Sequence, residues 1–401
     1  DSARGRFAAE GARNLWIAEK VRDCLRAAID DFLQIDTELQ QQLRLLRGAM
    51  AEMTSLSESD LAACLEEVEW PGARPTSEWR PGAGLWMEGP LPEEVDASSR
   101  RWAEWAEEIL AGVHTFAVDG SQIYPSSDWS IPLAAVQVGY FENPHGDGAY
   151  VKDVDFKLVA PGDLRDREDE TGMRALVNLE RHEAEVDTLV RWMRAQAGEK
   201  KRLALFDGTL VVSFARGPER LRYVTAIKKL MKTSAETRVP VVAYIDSSRA
   251  RDLAQMFATA TGQGETRVTD GTLLPGGTGW GERTPAFVCA RKQGLDNYGD
   301  LENEVYFVYL RSVREGRPAR LEFPGWILRD GLVNEVVDWV RAEIVAQGGG
   351  FPYAIETADA AAVLTRKDHD RMMALFQEFA VEHDLKLDWR AKARSKRMRR
   401  A

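Results

Sequence analysis

The stretches His114-Thr-Phe-Ala-Val-Asp119-Gly120-Ser121 and Leu203-Ala-Leu-Phe-Asp207-Gly208-Thr209 decide how the chain folds. Each is a short apolar run of buried-strand length, closed by an acid, a glycine and a hydroxyl residue. An acid at the end of such a run, followed by Gly, puts a carboxylate at a sheet rim where the backbone can turn sharply. Taken singly, either stretch is more readily read as a turn. A third run, Val241-Val-Ala-Tyr-Ile-Asp246, ends the same way. Three strands of one sheet then present Asp119, Asp207 and Asp246 at a common rim.

Between the first two runs lies a charged helix, expected over 172–197. On it Glu180 shares a face with Met173, Leu176 and Val177, so it should point at the sheet, with Glu183 as its rival on the next turn. An inward carboxylate needs a partner, and a metal suits a cluster of acids. Hard oxygen donors with no neutral anchor favour Mn²⁺ or Mg²⁺. Two such ions about 4 Å apart can activate water and stabilise the leaving oxygen of a phosphodiester.

Outward from this centre, strands are expected at 132–141 and 150–158, and the second Asp strand is expected to run from 203 to 214. Further strands follow at 239–245, 286–291, 303–311 and 318–323. Helices fall at 217–235, 249–259, 331–346 and 367–383. An opening meander followed by strand–helix alternation implies an α/β fold with a mixed sheet covered by helices. Upstream, Val21, Leu25, Ile29, Phe32, Leu39, Leu43, Leu46, Met50 and Met53 form a heptad-like stripe. It reads as one long helix, or two joined near 34–37. Ser57 should cap a short helix, and another is expected over 93–112. Five prolines and three tryptophans in 70–100 argue against regular structure there. Residues 260–283, rich in Gly and Thr, read as a loop or lid.

The 401-residue chain is 44% hydrophobic and 29% charged, long enough for a sizeable core. No apolar run has the length of a bilayer span, no signal-peptide pattern opens the chain, and the three cysteines lack metal-ligand spacing. A cytoplasmic protein is expected. Net charge is −11, yet residues 386–400 carry eight Lys/Arg against one Asp. That basic tail is a handle for nucleic acid or an acidic partner. A phosphate-binding P-loop, a dinucleotide glycine fingerprint, zinc-type histidine spacing and a serine-hydrolase elbow are all missing.

The order Val118-Asp119-Gly120-Ser121, an inward helical Glu, then Phe206-Asp207-Gly208-Thr209-Leu210 resembles the NurA nuclease family. Thr269-Asp270-Gly-Thr-Leu-Leu leading to Gly281-Glu-Arg-Thr-Pro-Ala-Phe287 looks like its middle region. Phe351-Pro352-Tyr353-Ala-Ile-Glu-Thr-Ala358-Asp359 is similar to its late motif. The resemblance implies an RNase H-like fold, with a mixed β-sheet flanked by helices and, here, an N-terminal helical extension. The organisation expected is a helical region with its Pro/Trp-rich connector over 1–111, a nuclease domain over 112–383 and the tail over 384–401.

The same resemblance implies a Mn²⁺- or Mg²⁺-dependent DNA nuclease using two ions. Its expected activity is 5′ to 3′ exonucleolytic, with endonuclease activity also open, in a nucleoid-associated setting. It would work as a homodimer beside a hexameric HerA-type ATPase in DNA end processing. Asp119 and Asp207 match the family's strand-end metal ligands, and Glu180 is matched to the helical one. Asp359 stands where the family has His and would serve as a ligand, and Phe351 stands where it has Tyr. Asp246 becomes a further ligand or orients water, and Arg249 replaces a Lys in neutralising the scissile phosphate. Two rivals stay open: a non-catalytic RNase H-like DNA clamp or adaptor for the ATPase, and a metal-dependent phosphatase or nucleotidase. The N-terminal helices and connector would contact a second copy or the ATPase.

Overall fold

In the computed structural model, residues 17–91, 100–126, 130–146, 148–167, 169–274, 279–313 and 316–387 are described. The basic tail from 388 onward lies outside them. Among the described residues nine strands form one sheet: β1 (Gly72–Arg74), β2 (His114–Ile123), β3 (Ala134–Asn143), β4 (Val151–Val159), β5 (Arg202–Asp207), β6 (Val241–Ile245), β7 (Phe287–Ala290), β8 (Val305–Leu310) and β9 (Ala319–Pro324). Their order is β1-β7-β8-β9-β6-β5-β2-β3-β4. Strands β2, β5 and β6 run parallel, and every other pairing is antiparallel. The half β4-β3-β2-β5-β6 is a meander joined to a parallel pair, an RNase H-like mixed sheet.

Helices cover both faces of the sheet. They include α1 (Ile29–Met53), α2 (Glu58–Leu65), α3 (Arg100–Leu110), α4 (Glu170–Ala195), α5 (Arg220–Thr237), α6 (Asp252–Ala260), α7 (Val333–Gln347), α8 (Tyr353–Ala362) and α9 (Arg366–Glu382). The two-residue strand period sorts the core onto the two sides. Phe116, Val118, Ala204, Phe206, Val241 and Ala243 join the cluster under α1, α4, α5 and α6. Their neighbours Ala117, Leu203, Leu205, Val242 and Tyr244 join the cluster under α3, α7 and α8. Phe116 stacks on Trp192 of α4 with centroids 4.8 Å apart and planes within 6°.

Several expectations are corrected. Asp119-Gly120 does not end its strand, because β2 continues to Ile123 with Gly120 paired to Val138. By contrast β5 stops at Asp207, well short of 214. The proline-rich connector does hold a short strand: β1 pairs with β7. It is tethered by Glu78, whose carboxylate takes two 2.7 Å bonds from buried Arg283. The N-terminal helix breaks at Ala28, not near 34–37. Only its later part, with Leu43, Leu46 and Met53, is buried, while Val21, Leu25 and Phe32 are exposed. Ser57 caps α2 as expected, accepting from the Asp60 amide at 3.1 Å.

A buried ionic knot fixes the β6–β9 region. Arg320 lies against Phe307, with its guanidinium carbon 3.7 Å from the ring centroid. It donates to Glu322 at 2.7 Å and pairs with Asp252 at 2.8 Å. Asp270 accepts from the amides of Asp252 and Ala254, at 3.0 and 2.9 Å, and from the Tyr309 hydroxyl at 2.7 Å. The Thr269-Asp270-Gly motif therefore holds the start of α6 and takes no part in the rim. Glu322 uses its other oxygen to accept from Thr209 Oγ1 and the Leu210 amide, each at 2.7 Å, which pins the loop that leaves Asp207. Asp270→Ala should strand two amides and leave Arg320 short of a carboxylate. Removing one partner of a buried charge group costs about 3–5 kcal/mol, so the urea midpoint should fall sharply, and a shift comparable to an exposed-site control would contradict this.

Candidate metal centre

Val118 of β2 is in register with Phe206 of β5, so the next residues, Asp119 and Asp207, stand side by side on adjacent strands. Adjacent strands are about 4.8 Å apart. The pleat turns both carboxylates toward the face that α8 covers. On the other flank Asp119 pairs with Gly139 of β3. A Cβ on Gly139 would sit 2.5 Å from the Ala362 nitrogen and 2.7 Å from the Ala358 oxygen, so only glycine lets α8 lie this low on the sheet.

Both ends of α8 are tied. At its start Glu343, fully buried, accepts from the Ala354 amide at 2.8 Å while its other oxygen takes the Thr115 hydroxyl at 2.7 Å and lies 2.7 Å from His145 Nε2. At its end the Ala362 carbonyl accepts from Ser121 Oγ and from Gln137 Nε2, the latter at 3.1 Å. Held this way, α8 brings Asp359 close enough to raise the pKa of Asp119.

From the opposite face comes Glu185 of α4, which is buried. A Cβ on Gly120 would meet its Oε1 at 2.3 Å and the Arg181 Cγ at 2.7 Å. The residue read as a turn glycine is thus a mid-strand gap through which a helical carboxylate reaches the rim. Arg181 donates to Glu185 Oε1 at 3.0 Å and to the Gly120 carbonyl at 3.1 Å.

Four carboxylates gathered around one guanidinium leave an excess of negative charge. Burial pushes Asp119 up to about 6, opposed by its Gly120 backbone hydrogen bond and reinforced by Asp359 and Asp207. Glu185 is pushed up to about 8, by burial first and then by Asp119 and Asp207 against the pull of Arg181. Asp207 is raised by loss of solvent, then by the charges of Asp359 and Asp246, again against Arg181. Stacked carboxyls of this kind resist ionising together unless a cation joins them.

The residues expected from sequence fare differently. Asp119, Asp207 and Asp359 come together, and Asp246 lies near enough to act on Asp207. Glu180 does not join them. It pairs with Lys157 at 2.7 Å and Arg222 at 2.8 Å, and these bonds outweigh its burial and lower its pKa. Glu183 is also taken by Arg222. Arg249 is exposed and, among the described residues, forms no ion pair. Phe351 packs edge-on against Tyr244 with centroids 4.9 Å apart. Glu185 and Arg181 escaped sequence reading. Five residues beyond Glu180 is about 140° around a helix, and the stripe His182, Glu185, Val186, Leu189, Met193, all buried, marks the face that meets the sheet.

A NurA domain model matches residues 113–364, nearly two thirds of the chain. The chain belongs to the NurA family. No curated protein matches it. Among solved structures, a crystal structure of NurA is 10% identical and matches with a TM-score of 0.47, covering 87% of this chain and 97% of that one. NurA with manganese gives 11%, 0.39, 73% and 91% on the same measures. NurA bound to dAMP and manganese gives 12%, 0.36, 64% and 86%. NurA membership supports a nuclease-type role and rests on the domain match.

The donor set fits a hard divalent cation: oxygens only, crowded, raised in pKa and short of positive charge. Among the described residues no three His, Cys, Asp or Glu side chains stand closed around a single point. Glu185 is held by Arg181 and would have to turn from it to serve as a ligand. For the metal-free protein the protonation of Glu185 has a consequence of definite sign. Its ordinary value is 4.5, so between there and about 8 the folded state keeps a proton that the unfolded state has lost. Stability from this group is full below that window and falls as pH rises through it. In EDTA, Glu185→Gln should match the parent near pH 5 and exceed it near pH 8.5 in denaturation midpoint. Parallel decline of both proteins would contradict the account.

Proposed function

We propose that this protein is a metal-dependent deoxyribonuclease, with Asp119, Glu185 and Asp207 as the principal ligands and Asp359 as a fourth. The observation that carries this reading is the approach of acids from β2, β5, α4 and α8 to one rim, two of them admitted by glycines 120 and 139. Mn²⁺ or Mg²⁺, one ion or a pair, would supply a nucleophilic water and stabilise charge on the leaving oxygen. The chain's own groups do the rest. Asp246 orients water or adds a ligand at the Asp207 side. Arg181 holds Glu185 until that carboxylate turns to the metal, and then stays beside the cluster to face phosphate charge. Arg249 is available to the strand from the exposed rim.

Family membership supports the finer features: digestion of DNA ends from 5′ to 3′, action as a homodimer, and work beside a hexameric HerA-type ATPase. The exposed apolar stripe Val21, Leu25, Phe32 before the buried part of α1 is the surface we assign to a second copy or to that ATPase. Among the described residues no helix is long and apolar enough to cross a membrane. A cytoplasmic, nucleoid-associated setting is part of the same proposal.

The activity test compares four proteins on end-labelled linear DNA with Mn²⁺. Asp119→Ala and Glu185→Gln should lose at least a hundredfold in degradation rate with circular dichroism unchanged, an effect of several kcal/mol in barrier height. Glu180→Gln should stay within severalfold of the parent. Full loss in Glu180→Gln with retention in Glu185→Gln would refute the ligand assignment. Retained activity in Asp119→Ala would refute the nuclease reading.

A further inference from the structure

The loop leaving Asp207 is held with unusual firmness before it surfaces. Thr209 and Leu210 are fixed by Glu322, the Leu210 carbonyl accepts the Tyr298 hydroxyl at 2.6 Å, and the Val212 amide donates to the same hydroxyl at 3.2 Å. Leu210, Val211 and Val212 are buried, and then Phe214 emerges 54% exposed. Its ring stands edge-to-face with Tyr223, centroids 5.2 Å apart at 84°, and 6.3 Å from His182. His182 packs in turn 5.8 Å from Phe206, the neighbour of Asp207, and lies one helical turn before Glu185. An exposed Phe braced by aromatics and carried on a pinned backbone is therefore seated on the α4–α5 side of the rim, linked through His182 to the helix that carries Glu185.

We infer that Phe214 is a stacking platform for a nucleobase of a single-stranded end whose phosphate enters that cluster. The inference rests on the nuclease reading and names the feature of the substrate recognised beside the same site. Single exposed apolar side chains are ordinary. Phe214 differs in being pre-ordered, so binding a flat partner costs little side-chain entropy. Arg216, two residues on, is exposed and forms no ion pair among the described residues, which suits the phosphate of a strand crossing the loop. Every base offers a π-face, so this contact tolerates any sequence, as a degrading enzyme needs, and it demands an unpaired base.

The test is binding in EDTA, without turnover, of single-stranded oligonucleotides carrying 2-aminopurine or an abasic site at successive positions from each end. The full-length parent should alter 2-aminopurine fluorescence at one or two positions near an end and lose affinity when that position is abasic. Phe214→Ala should bind intact single strands roughly tenfold more weakly, lose the fluorescence change and be indifferent to the abasic site. Phe214→Trp should keep all three behaviours. Equal affinity of Phe214→Ala and the parent, or equal weakening in the Ala and Trp variants, would overturn the inference while leaving the loss of degradation in Asp119→Ala, and so the nuclease reading, untouched. Base stacking through Phe214 in a protein that never cleaves DNA would uphold the platform and remove the nuclease.

Discussion

The centre depends on two missing methyl-sized volumes. Asp119 lies between Gly120, its neighbour in the chain, and Gly139, its partner across the β2–β3 ladder. Glu185 occupies the space over the first, and the backbone of α8 occupies the space over the second. In a closely packed interior a side chain at 139 would press on the backbone of α8, and one at 120 would push aside the side chains of Glu185 and Arg181. Elements from both faces of one sheet can thus converge on a carboxylate that belongs to the sheet itself.

This convergence is unfavourable for the protein alone. Burial and mutual repulsion raise Asp119, Asp207 and Glu185 together, and Arg181 neutralises only part of the excess. Other parts of the fold absorb the cost. Glu343 and the Ser121–Gln137 pair clamp the two ends of α8, and the Arg320 knot with Glu322, Asp252 and Asp270 stiffens the strands beside β5. In the knot each carboxylate is engaged by Arg320, by backbone amides or by a hydroxyl, whereas the rim acids share only Arg181. That contrast separates a structural cluster of ionised groups from one arranged to take up a cation.

Much of this could be read from the chain before folding. Short continuous apolar runs of buried-strand length located β2, β5 and β6, and the acids that close those runs placed Asp119, Asp207 and Asp246 at one rim. Where the reading failed, it failed for physical reasons. The phase of α4 against the sheet is set by tertiary packing, and the local apolar neighbours of Glu180 pointed to the wrong face. A Gly after an acid looks the same whether it turns the chain or clears a path, so Gly120 passed for a turn. The α8 segment is short and alanine-rich, with too little amphipathic contrast to stand out. Asp270 lay in a family-like motif, yet its role is to hold two amides of α6. Such contacts link residues far apart in sequence and leave no periodic trace.

The central claim is that acids from separate segments share a divalent ion, and manganese anomalous diffraction from soaked crystals tests it most directly. The account predicts a peak at the β2–β5 rim about 2.0–2.6 Å from carboxylate oxygens of Asp119, Asp207 and Glu185, with Glu185 turned away from Arg181. A peak seated instead beside Glu180, or a rim that stays without manganese while Glu185 keeps its bond to Arg181, would contradict it.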